Sequence, residues 1–318
     1  MSRRDLIDPD ARQPLDLLQQ AIPGGFNTIA DIVERRATVS GLLAAMEVPP
    51  NPNVTSEDRM VPGPDGAPDI KVRIYRPVDA TGTLPGIYYI HGGGMILGDL
   101  DGEDAVAASI CEHADTVVVS VEYRLAPEHP FPAAIDDCLR AYEALLDAGQ
   151  EPGQLMIAGE SAGANAVLVT LQRARDASHP MPAGAVMLSG GFDFSWSSPS
   201  ISINAGCDTA LGGRGLAFLN RWYQPDVDAT DPLISPVFGD FAGLPPLLFQ
   251  TGHTEVLRDD SVRVTERARA AGVPVWLEVF PLVPHAWHQL GTWLPETRAA
   301  LLQIGQFANT IYQPRSIS

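Results

Sequence analysis

Positive charge is what this sequence has least of. Lysine occurs once, at Lys71, and Lys plus Arg number 21 against 39 Asp plus Glu, a net charge of -18. No basic run is long enough to reverse that sign locally, so phosphate backbones and anionic lipid are repelled and nucleic acid is not an expected partner. Cysteine is scarce too. Cys111, Cys138 and Cys207 are odd in number and widely spaced, without a C-x-x-C pair, and read as buried, inert thiols. Long apolar runs are missing: none approaches a membrane span, and Met1-Ser2-Arg3-Arg4-Asp5 leads into acidic residues instead of the apolar core of a signal peptide. A cytoplasmic protein with no stable membrane association is expected.

What is present is enough for a large core. At 318 residues and 45% hydrophobic, one large α/β domain or two smaller ones can form without a partner. The 28 prolines cluster between periodic segments and mark ordered loops, because the apolar content is too high for disorder. Helical periodicity comes first, over residues 14–22 and 27–46, and the proline-rich stretch 48–52 ends it. Strands follow at 58–61 and 70–75 around a Gly-Pro-Asp-Gly turn, an antiparallel start. The rhythm then changes. Apolar runs at 86–90, 116–121, 155–158, 185–188, 247–251 and 275–280 alternate with helix patterns at 102–113, 131–148, 162–176, 259–271 and 295–312. Unbroken apolar strands separated by helices predict a mostly parallel sheet covered on both faces. Between 189 and 246 no strand is convincing, only a helical patch at 216–223, which predicts an insertion over the sheet.

Ligands of such sheets bind beyond the carboxyl ends of the strands, so the polar residues that follow each strand carry the chemistry. Gly159-Glu160-Ser161-Ala162-Gly163 reads as strand, tight turn and helix with a serine at the apex. The glycines remove side chains that would collide there, and the helix start aims free N–H groups at the serine. His91-Gly92-Gly93-Gly94 leaves backbone N–H groups bare for an oxyanion, with His91 read as the residue that fixes the loop. Glu255 follows its strand by four residues, whereas Asp259 and Asp260 suit the acidic first turn of the next helix. His285 stands after Pro284, five residues past its strand, and is preferred as a base over His288, which falls in the following helix. Ser161, Glu255 and His285 thus come in the order nucleophile, acid, histidine.

Residues 85–285 resemble the hormone-sensitive-lipase family of α/β-hydrolase esterases. The resemblance rests on the H-G-G-G loop, Tyr123-Arg124-Leu125-Ala126-Pro127-Glu128, the serine turn, Asp231-Pro232 with Ser235-Pro236, Leu244-Pro245-Pro246, and Glu255 to Asp260. It implies the α/β-hydrolase fold, with an eight-stranded, mostly parallel sheet flanked by helices and a helical cap. Residues 1–55 would form cap helices and a linker, and 56–318 a catalytic domain with a cap insertion at about 194–226. It further implies a serine carboxylesterase for short-to-medium acyl esters, with Ser161, Glu255 and His285 as the triad and Gly93, Gly94 and Ala162 as oxyanion donors. Neither metal nor organic cofactor is required. Phe26, Met95 and Trp287 are expected at the substrate, with Trp196, Phe218 and Trp222 as further candidates for the pocket wall. Two departures stand out: Glu160 where the family has Asp or Thr, and Glu255 where it has Asp. A third, Ala286-Trp287 in place of Gly-Phe, predicts a narrowed pocket. Members often pair as homodimers through the edge strand, here 275–280. Amide hydrolysis and a non-catalytic receptor, as in the plant gibberellin receptors, are the alternatives; the second lacks the catalytic histidine that His285 would supply.

Overall fold

The apolar runs become the strands of one sheet. A computed structural model of the chain describes residues 31–45, 50–64, 66–208, 211, 216–224, 226–292 and 294–312. Its strands are β1 (Val54–Val61), β2 (Ile70–Pro77), β3 (Gly86–Ile90), β4 (Val117–Glu122), β5 (Leu155–Glu160), β6 (Gly184–Leu188), β7 (Leu247–Gly252) and β8 (Val275–Phe280). They lie in the order β1-β2-β4-β3-β5-β6-β7-β8. β2 pairs antiparallel with β1 on one side and with β4 on the other, and every neighbouring pair from β4 to β8 is parallel. This is the mostly parallel sheet with an antiparallel start that the pattern predicts.

The period of two decides which side chain goes to which layer. Tyr88 and Ile90 of β3 join one core, with Ile157, Met187 and Phe249, while Ile87 and Tyr89 join the other, with Ala158, Val186 and Leu248. Helices α2 (Asp104–Ala114) and, near the C-terminus, Pro295–Ile311 cover the second layer through Val106, Ile110, Leu301, Ile304 and Phe307. The first layer is covered by α3 (Ala133–Asp147), α4 (Ala162–Asp176) and the helix Arg258–Ala270. With both faces covered, β3, β5, β6 and β7 are buried at every position. That is why they read as continuous apolar runs.

The two edges differ from this. β1 is exposed along its middle six residues and is held by backbone pairing to β2, from Val54 opposite Pro77 to Val61 opposite Ile70. Its first half, Thr55-Ser56-Glu57, carries no apolar signal, so pattern reading starts the strand late. β8 is the other edge, with Trp276 and Val279 exposed. At the N-terminus, α1 (Ile32–Ala45) falls inside the second expected helix; the first, at 14–22, and residues 48–49 of the expected linker lie outside the described residues. Between β6 and β7 the described residues hold no strand, but two short α-helices, α5 (Ser200–Ile203) and α6 (Ala217–Tyr223), and a 3-10 turn at Pro236–Phe238. The helices that follow are α7 (Arg258–Ala270) and α8 (Pro295–Ile311).

One loop ties this frame to the glycines after β3. Arg124 grips the buried Asp137 of α3 with Nε at 2.8 Å and Nη2 at 2.7 Å, a forked pair that fixes the chain leaving β4. Tyr123 beside it donates its hydroxyl to the carbonyls of His91 and Gly92, at 3.0 and 3.1 Å.

Candidate active site

β5 runs into α4 with a single residue between them, and that residue is Ser161. Its φ of 53° and ψ of -116° lie outside the regions that non-glycine residues favour, a strain of about 1–3 kcal/mol that persists only where the surroundings enforce it. The enforcement is visible. The Ser161 N–H is held by the Leu188 carbonyl at 2.8 Å, and neither flanking glycine can carry a side chain. A Cβ on Gly163 would lie 2.0 Å from the Ile90 carbonyl oxygen, and one on Gly159 would lie 2.5 Å from the Gly163 carbonyl. The serine is therefore lifted above the carboxyl ends of β3 and β5.

Ser161 Oγ donates to His285 Nε2 at 2.9 Å, and His285 Nδ1 donates to Glu255 Oε2 at 2.8 Å. Three loops, after β5, β7 and β8, thus bring together the three residues chosen by their place in the sequence. Glu255 is completely buried, which raises its carboxyl pKa, while its bonds to His285 and to the Gly252 N–H pull the other way. Burial alone would lower the His285 imidazole; its bond to Glu255 and the charges of Glu255, Asp208 and Glu160 outweigh that and raise it above the usual 6.5. His288 does not compete for the role. It sits in the turn Trp287–Leu290, bonded through Nε2 to Gln250 at 3.0 Å, and burial pushes its pKa down to about 3.

The glycine loop lies on the far side of Ser161. Gly93 and Gly94 have φ of 105° and 67°, and a Cβ on Gly93 would strike the Leu97 carbonyl oxygen at 2.2 Å. Among the described residues neither glycine N–H is spent on a turn or loop carbonyl. Ala162, as the first residue of α4, also has an N–H without an intrahelical acceptor. His91 stacks on Tyr123 with ring centroids 4.2 Å apart and donates from Nδ1 to the Gly92 carbonyl at 2.8 Å. Burial holds its pKa down at about 4, so it stays neutral and braces the loop.

A family model described as α/β hydrolase fold matches residues 87–289. The chain belongs to the α/β-hydrolase family. It is 38% identical over 224 residues to an acetyl-hydrolase of Streptomyces hygroscopicus, covering 70% of this chain and 75% of that one. It is 36% identical over 313 residues to the carboxylesterase NlhH of Mycobacterium tuberculosis, covering 94% and 96%. A solved esterase of the bacterial hormone-sensitive lipase family matches at a TM-score of 0.88 and 29% identity, covering 96% of this chain and 99% of that one. This α/β-hydrolase is thus of the hormone-sensitive-lipase type, a carboxylic ester hydrolase whose substrates are small-molecule esters.

Some expected residues of the hydrolase stand elsewhere than the sequence suggests. Trp287 is not at a pocket mouth. It is completely buried between β8 and α8 among Phe280, Val283, Leu290 and Leu294, with its carbonyl bonded to Thr297 at 2.9 Å, because the left-handed backbone of Ala286 turns the chain inward after His285. Met95 stays beside the glycine loop, fully buried, and its carbonyl accepts from Ala126 N–H at 2.9 Å. Trp196 donates to Asn220 of α6 at 3.0 Å, and Trp222 is half-buried. Phe26 and the side chain of Phe218 lie outside the described residues.

A further residue, not singled out by the sequence pattern, touches the same group. Ser189, the first residue after β6, donates to Glu255 Oε1 at 2.9 Å and accepts from Ala286 N–H at 3.2 Å. It links the acid to the histidine loop. The signal was available, since a polar residue at the carboxyl end of a strand is the criterion that selected Ser161 and Glu255. Among the described residues no group of His, Cys, Asp and Glu is arranged to hold a metal ion, and no helix is long and apolar enough to cross a membrane.

Proposed function

We propose that this carboxylic ester hydrolase works through Ser161 as nucleophile, His285 as general base and Glu255 as the orienting acid, on esters with short-to-medium acyl chains. The observation that carries the reading is the unbroken chain of hydrogen bonds from Ser161 Oγ through both imidazole nitrogens to Glu255, at 2.9 and 2.8 Å. His285 Nε2 takes the serine proton as Oγ bonds to the ester carbonyl carbon, and Glu255 stabilises the imidazolium. The tetrahedral oxyanion is received by the N–H groups of Gly93, Gly94 and Ala162, each contributing about 3 kcal/mol. His285 then protonates the departing alcohol. Water, deprotonated by the same imidazole, attacks the acyl-serine and restores the enzyme. Glutamate in place of aspartate reaches His285 because Gly252, Thr251 and Ser189 all bond the same oxygen, Oε1, and so turn Oε2 to the ring.

The preference for short chains is supported by the likeness to the acetyl-hydrolase named above, acetyl being a short acyl group. A cap over the site, built from the N-terminal segment and residues 194–226, is supported by three contacts. Leu219 of α6 packs on Gly94, Tyr223 accepts from Phe131 N–H at 2.8 Å, and Arg36 of α1 reaches the Ile96 and Ala126 carbonyls at 2.8 and 2.7 Å. The test is the initial rate on p-nitrophenyl butyrate of the wild type, Ser161→Ala and His285→Ala, with fluorophosphonate labelling alongside. Turnover and labelling that vanish with Ser161 support the assignment; turnover retained without Ser161 defeats it.

A further inference from the structure

A second carboxylate approaches His285 from the side opposite Glu255. Glu160, the last residue of β5, is buried, and its Oε1 lies 4.0 Å from His285 Nε2, the nitrogen that meets Ser161. That is too long to take the proton and short enough for charge to act, since little water lies between. We propose that Glu160 is a positioning residue for ester hydrolysis, held by Gln289 so that its negative charge favours the imidazolium formed when Ser161 gives up its proton. The proposal rests on His285 being the base.

The holding group is specific to its surroundings. Gln289 Nε2 donates one hydrogen to Glu160 Oε2 and the other to Glu103 Oε1, the latter at 2.8 Å. Glu103 Oε2 in turn accepts from the Tyr89 hydroxyl at 3.1 Å. Gln289 belongs to the turn just after His285, its N–H bonded to the Ala286 carbonyl at 3.0 Å, so the bridge and the histidine share one loop. On its other flank Glu160 rests against Gly92, where a Cβ would come within 3.1 Å of its Oε1. The same carboxylate thereby touches the turn of the nucleophile, the loop of the base and the glycine loop.

The groups that face Glu160 come from every neighbouring element. They are His285 and Gln289 beyond β8, Glu255 beyond β7, Glu103 ahead of α2, Tyr89 in β3 and Tyr123 beyond β4. Among these, His285 is the one that becomes a cation. Burial lifts Glu160 to about 7, while His285 and the Gln289 amide pull it down. Its charge therefore changes near neutrality, and the rate should carry that change.

The experiment is the pH dependence of kcat and kcat/KM on p-nitrophenyl butyrate for the wild type, E160Q, E160D and Q289M, with Ser161→Ala and His285→Ala as controls. E160Q keeps the volume and an acceptor for Gln289. It should move the acid limb of kcat/KM down by about one pH unit and lower the kcat plateau about tenfold, because the imidazolium loses one of its carboxylates. E160D should restore most of both. Q289M should lose activity near pH 7 and regain it as the pH rises, as Glu160 ionises without its donor. An E160Q enzyme with the wild-type limb and plateau overturns the inference. If E160Q does not fold, Q289M decides, and a loss that is the same at every pH overturns it. Activity retained by the Ser161→Ala and His285→Ala controls would instead defeat the triad itself.

Discussion

Glu255 and Asp260 are five residues apart, both completely buried and both beyond the carboxyl end of β7, yet they meet different partners. Glu255 meets a histidine whose other nitrogen meets a serine. Asp260 meets only groups that keep their protons: the N–H of Phe192 at 2.7 Å, the N–H of Asp193 at 3.0 Å and the Ser198 hydroxyl. Burial raises it to about 7. Its neighbour Asp193 is clamped by Arg263, and together they fasten residues 192–198 to α7. A buried, perturbed carboxylate is thus not enough to mark chemistry. The partner must be able to accept and return a proton.

That contrast can be broken most directly at Glu255. Glu255→Ala should lower kcat on p-nitrophenyl butyrate about 10³–10⁴-fold, the range expected when an orienting acid is lost. Its melting temperature should change far less than its rate. Asp260→Ala should do the reverse. Leaving two N–H groups without an acceptor costs about 2–4 kcal/mol, read as a fall of several degrees in thermal unfolding with kcat/KM within a fewfold of wild type; Ser198 keeps its bond from Arg263. Comparable rate losses in both variants would erase the distinction.

A pH profile sharpens it further. The proposed base, His285, would work only when neutral, and the carboxylates around it raise its pKa. The acid limb of kcat/KM should accordingly lie above pH 6.5, with activity lost as pH falls through it; a limb at or below 6.5 would mean that burial outweighs the carboxylates. Ser189→Ala is the smallest expected effect. Its hydroxyl stiffens the acid and the histidine loop without touching the reacting atoms, so kcat should fall about three- to tenfold, in line with one lost hydrogen bond of about 1 kcal/mol.

Different parts of this protein were legible in the chain to different degrees. The central strands were, because burial on both faces leaves only apolar residues, and so was the serine turn, where Gly159 and Gly163 answer steric demands within a few residues. β1 was half-hidden, since an edge strand held by main-chain pairing needs no apolar side chains. Trp287 was misplaced for a related reason: aromatic character next to His285 says nothing about which way the chain turns after Ala286.

By itself the sequence determined the alternating strand-helix order, the bare glycines after β3 and the succession of serine, acid and histidine at three strand ends. Each of these depends on neighbours close along the chain or on the simple alternation of faces. Only the tertiary structure decided that Ser189 joins Glu255 to the histidine loop across 66 residues, and that Gln289 reaches back 129 residues to Glu160. It also decided that Glu160 faces His285 while Asp260 faces backbone. A carboxylate's role depends on which partner the folded sheet brings within a few ångströms, and no local pattern carries that distance.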